Sequence, residues 1–220
     1  MKEKITQFLK DRYVSDVGFS KCEDSPFAGL TNCISMVFRL SDAIVDQIDG
    51  APTHTYFHHY RTMNANIDRI GLEAVMMLQS LGYNAAQIPA SQSVSEMAGL
   101  FSHKMAAVRA GLGSIGKSAL FLSSKFGPRV RLGTIFTDAP IECENHIQTD
   151  ICKDCNICAS ACGAMAIKNI NFKQGMSRED IFDAYACSEY MKEKYKHIGR
   201  GAVCGVCMQV CPKGKFGLDN

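Results

Sequence analysis

Cysteine is the residue type that most clearly indicates chemistry in this sequence. The chain has 11 cysteines, and the last eight lie between residues 152 and 211. The first run has the spacing C-x2-C-x2-C-x3-C and consists of Cys152, Cys155, Cys158 and Cys162. The second has the spacing C-x2-C-x3-C, is followed by Pro212, and consists of Cys204, Cys207 and Cys211, with Cys187 between the runs. The first pattern is that of bacterial ferredoxins with two 4Fe-4S clusters.

The spacing also predicts which cysteines act together. A cubane offers four iron corners, so a tight loop of thiolates reaches three of them and the fourth ligand comes from elsewhere in the chain. We therefore expect one cluster on Cys152, Cys155, Cys158 and Cys211. The other is expected on Cys162, Cys187, Cys204 and Cys207. Structural zinc is the alternative, but zinc sites generally use two well-separated pairs of thiols.

The remaining composition is that of a globular chain. Apolar residues make up 46% and charged residues 21% of its 220 positions. No apolar run reaches the ~20 residues of a membrane span, and no apolar segment typical of a secretory signal follows the charged N-terminus. We expect a cytoplasmic location, where so many thiols indicate metal or redox chemistry. The net charge of +2 makes a nucleic-acid partner unexpected.

Hydrophobic periodicity predicts an α/β domain over residues 1–148 and a cluster domain over residues 149–220. Apolar spacing predicts helices at residues 5–9, 67–81 and 101–112, and strands at residues 33–38, 121–122 and 130–135. In the second domain, Ser177 and Asp180 resemble a capping box. We expect a helix after it that carries Cys187, with Ile181, Phe182, Tyr185 and Met191 on one face.

The segment Gly111–Gly116 spells G-x-G-x-x-G but does not predict a dinucleotide site. That fingerprint requires a strand before it and a helix after it, whereas here a helical pattern precedes and strand-like residues follow. Two interpretations stay open: a helix end with a turn, or a loop whose main chain closely approaches a ligand.

The order of these motifs resembles the epoxyqueuosine reductase family. The resemblance rests on Ala110-Gly111-Leu112-Gly113-Ser114-Ile115-Gly116-Lys117, on the strand that ends at Thr137-Asp138, and on the double cysteine block. Corrinoid reductive dehalogenases are more distantly similar. The resemblance implies a nitroreductase-like α/β domain that binds cobalamin base-off, followed by a ferredoxin-like double 4Fe-4S domain. It also implies that the corrin is lined by Gly111, Gly113, Ser114, Gly116 and Lys117.

Two departures from the family concern the reaction. The family's catalytic Asp is absent from the comparable stretch Ile88-Pro89-Ala90-Ser91, which leaves Glu96 and His103 as candidate catalytic acid–base residues. The chain ends nine residues after Cys211, without the family's tRNA-binding helical repeats. Reduction of epoxyqueuosine in tRNA is therefore not expected.

The sequence favours an iron–sulfur oxidoreductase in which two 4Fe-4S clusters feed electrons to a corrinoid. We expect an external low-potential donor of the ferredoxin or flavodoxin type and an unidentified small-molecule substrate. The alternative is a ferredoxin-like electron carrier with neither corrinoid nor substrate. A corrin-sized cavity beside Gly111–Lys117 would separate the two functions.

Overall fold

The computed structural model describes residues 1–95 and 97–216. The helices are α1 (Lys2–Lys10), α2 (Asp42–Val45), α3 (His54–Ser80), α4 (His103–Arg109), α5 (Ile157–Ser160), α6 (Arg178–Ile181), α7 (Ala184–Lys194), α8 (Val206–Gln209) and α9 (Lys213–Phe216), with a 3-10 turn at Gly199–Gly201. The strands are β1 (Asp16–Lys21), β2 (Asn32–Arg39), β3 (Ala85–Ile88), β4 (Gly113–Ile115), β5 (Phe121–Ser123) and β6 (Val130–Thr137).

The chain forms two compact units, and neither is continuous in sequence. The sheet unit contains Met1–Phe38, Met63–Leu112 and Arg131–Ile147. The cysteine unit contains Arg39–Thr62, Gly113–Val130 and Gln148–Asn220. The last change of unit falls between Ile147 and Gln148, and two earlier segments also belong to the cysteine unit, so the division into domains 1–148 and 149–220 stays a prediction.

A four-stranded sheet in the order β1-β2-β6-β3 organises the sheet unit. Strand β1 is antiparallel to β2, and β3 is antiparallel to β6. Side chains alternate between two apolar clusters, as the pleat of a strand requires. Ile34 and Ile135 pack with Ile70 of α3, whereas Cys33 and Phe136 pack with Ala106 of α4. Both faces are therefore covered, which explains why β2 reads as a continuous apolar run.

The predicted helices and strands of the first 148 residues are present, with one unexpected pairing. Strands β5 and β6 flank the predicted turn, but β5 pairs with β4 in a separate two-stranded sheet. The short strands β1 and β3 carry little apolar alternation, so the sequence did not predict them. The mixed α/β class is correct.

The single helix predicted around residues 181–191 is wrong, because two helices occupy this stretch. The capping box of Ser177 and Asp180 begins α6 as predicted. Phe182 is extended (φ −151°, ψ 132°), which ends α6, and the Asp183 carboxylate then caps α7 by accepting from the Ala186 N–H at 2.9 Å. Ile181 is fully buried, while Tyr185 is half exposed, so they do not share one buried face.

Within the described residues, no helix combines the length and apolar character needed to cross a bilayer.

Candidate iron–sulfur centre

The first cysteine run folds into a tight turn followed by a short helix. The Asp150 carboxylate accepts the main-chain N–H groups of Cys152 and Lys153 at 3.2 and 3.0 Å. The Cys155 N–H then donates to the Cys152 oxygen at 2.9 Å, and Cys158 lies on α5. Lys153 has a φ of +45°, a left-handed conformation that costs a non-glycine residue ~1–3 kcal/mol. Such strain is typical of backbone wrapped around a bound group.

The second run begins at a glycine that no other residue could replace. Gly205 has a φ of +84°, and a Cβ there would lie 2.7 Å from Cδ1 of Ile48 and 2.9 Å from the Tyr56 ring. This turn starts α8, which carries Cys207, and Cys211 follows with its N–H donating to the Met208 oxygen at 3.4 Å.

Electrostatic coupling joins Cys211 to the first run rather than to its own. Burial, with contributions from negative charge on Cys152, Cys158 and Cys155, raises the pKa of Cys211 to about 11. Burial likewise raises the pKa of Cys158, with added contributions from Cys152 and Cys155. These four thiols therefore form one neighbourhood.

Cys187, on α7, belongs to a second neighbourhood. Burial, with contributions from charges on Cys204 and Cys162, raises its pKa to about 11. Burial also raises the pKa of Cys207 well above its ordinary value, with contributions that come from Cys204, Cys187, Cys158 and Cys162. Cys158 is therefore a point where the two neighbourhoods approach each other.

The chemistry of this donor set fits iron–sulfur cores. Buried thiols that raise one another's pKa become thiolates only when a cation compensates their charge, which an iron–sulfur core does. In the described part of the chain, no group of three or more His, Cys, Asp or Glu converges on a single metal ion.

Main-chain N–H groups also point at several of the sulfurs. Hydrogen bonds from Lys117, Val206 and Lys213 lower the pKa values of Cys152, Cys204 and Cys211, respectively, against the larger effect of burial. Such hydrogen bonds to sulfur are one of the ways in which a protein adjusts cluster potentials.

The predicted ligand-binding loop is divided between a helix end and a hairpin. After α4, the N–H groups of Gly111 and Leu112 donate to the oxygens of Val108 and Ala107, which is a Schellman motif. Gly111 has a φ of +73°, and a Cβ there would lie 2.7 Å from the His146 ring. Strand β4 follows where a dinucleotide site requires a helix, so the exclusion of that site is correct.

The remaining residues of the loop contact other residues of the cysteine unit. A Cβ at Gly113 would lie 2.1 Å from the Leu122 oxygen, and one at Gly116 would lie 2.6 Å from Leu122 Cδ1. The Ser114 hydroxyl is 2.8 Å from that of Thr149. Lys117 is only 5% exposed and donates to the Cys155 oxygen at 3.0 Å. These glycines and side chains are therefore in contact with other residues of the protein.

Of the two catalytic candidates, the structure describes only His103. His103 is half-buried, with Nδ1 at 2.7 Å from the Thr134 hydroxyl and Nε2 at 3.1 Å from the Pro89 oxygen. Burial lowers the pKa of His103. Glu96 lies outside the described residues.

Sequence reasoning missed several polar residues that support the hairpin and the cysteine turns. The Gln148 amide accepts from the Ile115 N–H and donates to the Ile115 oxygen, both at 2.9 Å. Asn169 accepts from Lys117 at 3.1 Å. In the sequence, these amide residues lie in connecting segments, where such residues predict a turn. Nothing in that pattern indicates a hydrogen bond to a residue far away in the chain.

A pair of buried thiols in the sheet unit was also missed. A hydrogen bond from Cys33, with smaller contributions from Arg109 and Ser20, lowers the pKa of Cys22 to about 6. Arg109 is itself paired with Asp24, with a second contact at 3.1 Å.

Comparison with known proteins agrees with the thiol geometry. Residues 151–214 match the model of a 4Fe-4S double cluster binding domain. The chain is 28% identical over 167 residues to a tetrachloroethene reductive dehalogenase of Desulfitobacterium hafniense, covering 71% of this chain and 28% of the relative. It is 32% identical over 119 residues to the epoxyqueuosine reductase of Staphylococcus aureus, covering 53% and 30%. The chain thus spans less than a third of these relatives.

Solved structures extend the likeness to nearly the whole chain. A reductive dehalogenase, whose structure suggests a mechanism for B12-dependent dehalogenation, aligns with a TM-score of 0.74 and 20% identity, covering 97% of this chain and 32% of that one. An epoxyqueuosine reductase with an epoxyqueuosine-modified tRNA stem loop aligns with a TM-score of 0.64 and 17% identity, covering 99% and 67%. A similar fold thus meets tRNA, so charge balance does not exclude a nucleic-acid partner, and that expectation is withdrawn.

The thiol geometry, the domain match and the relatives lead to one conclusion. Residues 151–214 are a 4Fe-4S double cluster binding domain, and the chain is a relative of the reductive dehalogenases and the epoxyqueuosine reductases.

Proposed function

We propose that this chain is an iron–sulfur reductase whose two clusters pass electrons to a base-off corrinoid. The observation that carries the proposal is the extent of the likeness to a B12-dependent reductive dehalogenase, which covers 97% of the chain. An electron carrier would need little more than the 64 residues of the double cluster domain, 151–214. The α/β part, for which a nitroreductase-like arrangement remains our prediction, needs another role.

The cluster ligands are assigned from spacing, with support from the thiol neighbourhoods. One cluster is held by Cys152, Cys155, Cys158 and Cys211. The other is held by Cys162, Cys187, Cys204 and Cys207. When bound, the clusters supply one-electron transfer. The chain's own residues hold the sulfurs in place, donate main-chain hydrogen bonds to them and limit their contact with water.

Only the main-chain atoms of the predicted corrin-lining residues are suited to contact a corrin. Ser114 and Lys117 make their hydrogen bonds within the cysteine unit, and the glycines pack against protein atoms. We therefore assign no side chain of this segment to the corrin. His103 has both ring nitrogens engaged and receives no proton-transfer role, and Glu96 remains a sequence prediction.

The electron carrier is the second candidate, and these occupied side chains are the observation that favours it. A carrier needs no cavity beside β4 and no acid–base residue. Both functions require an external low-potential donor of the ferredoxin or flavodoxin type. They differ in whether the chain binds a corrinoid.

A cobalamin titration separates the two candidates. The full chain is reconstituted with iron and sulfide without oxygen and titrated with micromolar cobalamin, while absorbance follows the base-on and base-off forms. The reductase proposal predicts conversion to the base-off spectrum with saturation near one cobalamin per chain. Cobalamin alone at the same pH is the reference. An unchanged spectrum would contradict the reductase proposal and leave the electron carrier as the remaining candidate. An epoxyqueuosine-modified tRNA stem loop in a parallel binding assay tests nucleic acid as the substrate.

A further inference from the structure

Among the described residues, no carboxylate pairs with the ammonium group of Lys117, which lies in the interior of the cysteine unit. The residue is 5% exposed. Its Nζ donates to the Cys155 oxygen at 3.0 Å and to Oδ1 of Asn169 at 3.1 Å, and both acceptors are neutral. Lysine is almost never buried unless its charge is compensated, because desolvation of an ammonium is costly. The compensating negative charge must therefore come from another source.

The thiolates of the first cluster are the nearest source of that charge. Lys117 contacts Cys155 through its side chain, and its main-chain N–H donates to the sulfur of Cys152. The preceding residue, Gly116, is so close that a Cβ there would lie 3.2 Å from the Cys152 sulfur. The main-chain nitrogen and the side-chain ammonium of Lys117 thus lie against two ligands of the same cluster.

Asn169 holds the ammonium in this position. It has a φ of +59°, a left-handed conformation that asparagine tolerates better than most residues. Neighbouring Asn171 donates to the Lys153 oxygen at 3.2 Å, so this segment is tied to the turn of the first run.

We propose that Lys117 raises the reduction potential of the cluster on Cys152, Cys155, Cys158 and Cys211. Reduction would add an electron to a negatively charged centre, so a nearby cation would stabilise the reduced form, and burial keeps water and salt from screening the cation.

This inference rests on the proposed function, since it concerns the potential of one of its two clusters, but it is tested separately. The full chain is reconstituted anaerobically, and both potentials are measured by EPR-monitored redox titration. In Lys117→Met, we expect the potential of the Cys152 cluster to fall by at least ~59 mV, which is a tenfold change in the ratio of reduced to oxidised cluster for a one-electron couple. The other potential should not change.

Two further variants complete the test. Lys117→Gln keeps an amide donor for the Cys155 oxygen but loses the charge, so it should give the same shift. The matched control is Lys168→Met, because Lys168 also donates to a main-chain oxygen, that of Glu179 at 2.6 Å, but is exposed to solvent. It should leave both potentials unchanged.

Equal potentials in wild type and both Lys117 variants would overturn the proposal. Loss of the cluster's iron in both variants would also overturn it, because Lys117 would then be structural. Failure of wild-type protein to bind cobalamin would defeat the proposed reductase while leaving these potentials unaffected.

Discussion

Nδ1 of His103 lies 2.7 Å from the hydroxyl of Thr134. Because Nε2 lies 3.1 Å from the Pro89 oxygen, which can only accept, Nε2 carries the proton and Nδ1 accepts from Thr134. Burial lowers the pKa of His103 and so favours the neutral ring, against the hydrogen bond to Pro89, which acts to raise the pKa.

We predict that His103 stays neutral, as the Nε2–H tautomer, at pH 6. The unfolded chain binds a proton below an ordinary pKa near 6.5 and the folded chain does not, so this residue makes the protein less stable as pH falls below 6.5. Nitrogen-15 NMR of the ring measures the tautomer. Thr134→Val, which removes the donor to Nδ1, should raise the pKa. A doubly protonated wild-type ring at pH 6 would contradict the geometry.

Gly111 is predicted to be required for two separable reasons. Its φ of +73° disfavours any Cβ, and the His146 ring occupies the Cβ position at 2.7 Å. Gly111→Ala should destabilise the sheet unit by ~1–3 kcal/mol. In the background of His146→Ala, the loss should be smaller but not zero, because only the steric part is removed. Melting temperatures by circular dichroism of the four proteins measure this coupling, and an undiminished melting temperature in Gly111→Ala would refute it.

Because of the Cys22–Cys33 pair, we predict that the holoprotein has fewer S–H groups than cysteines outside the clusters. With eight cysteines bound to iron, only Cys22, Cys33 and Cys143 retain free thiols. The hydrogen bond from Cys33 lowers the pKa of Cys22 to about 6, whereas hydrogen bonding to Cys22 and burial raise that of Cys33, and burial raises that of Cys143. The S–H band in Raman spectra should therefore correspond to two thiols at pH 8.

The sign of the accompanying stability change follows from the lowered pKa of Cys22. Between about pH 6 and the ordinary value of 9.0, the unfolded chain holds a proton that the folded chain has released. Stability gains from this thiolate as pH rises through that range and loses the gain as pH falls toward 6. Arg109→Met should restore part of the third S–H signal at pH 8. Three S–H groups in wild type at that pH would show that Cys22 remains protonated.

Local spacing in the sequence predicts the two sets of cysteines, but it does not predict the residues that surround them. The cysteine sets depend on ligands two or three residues apart and on a known exchange of the fourth ligand, both of which are visible in the sequence. The bonds of Lys117 to Cys155 and Asn169 join residues 38 and 52 positions apart, so no local pattern contains them. A lysine after a glycine-rich loop predicted a ligand contact, but tertiary packing turned it inward.

The break between α6 and α7 shows a similar limit. Apolar residues continue at helical spacing across Phe182, so periodicity alone favoured one helix. Asp183, three residues before the Ala186 N–H that it accepts, was the available sign of a new N-terminus.

The crossed ligand sets are the centre of this account, and single cysteine variants test them most directly. Wild-type protein reconstituted without oxygen should contain ~8 irons per chain, from two cubanes. Cys158→Ala and Cys211→Ala should leave the same residual EPR signal after reduction, because they remove ligands of one cluster. Cys187→Ala and Cys204→Ala should leave the other. If the signal of Cys211→Ala instead matches that of Cys204→Ala, the ligands do not cross and the account is wrong.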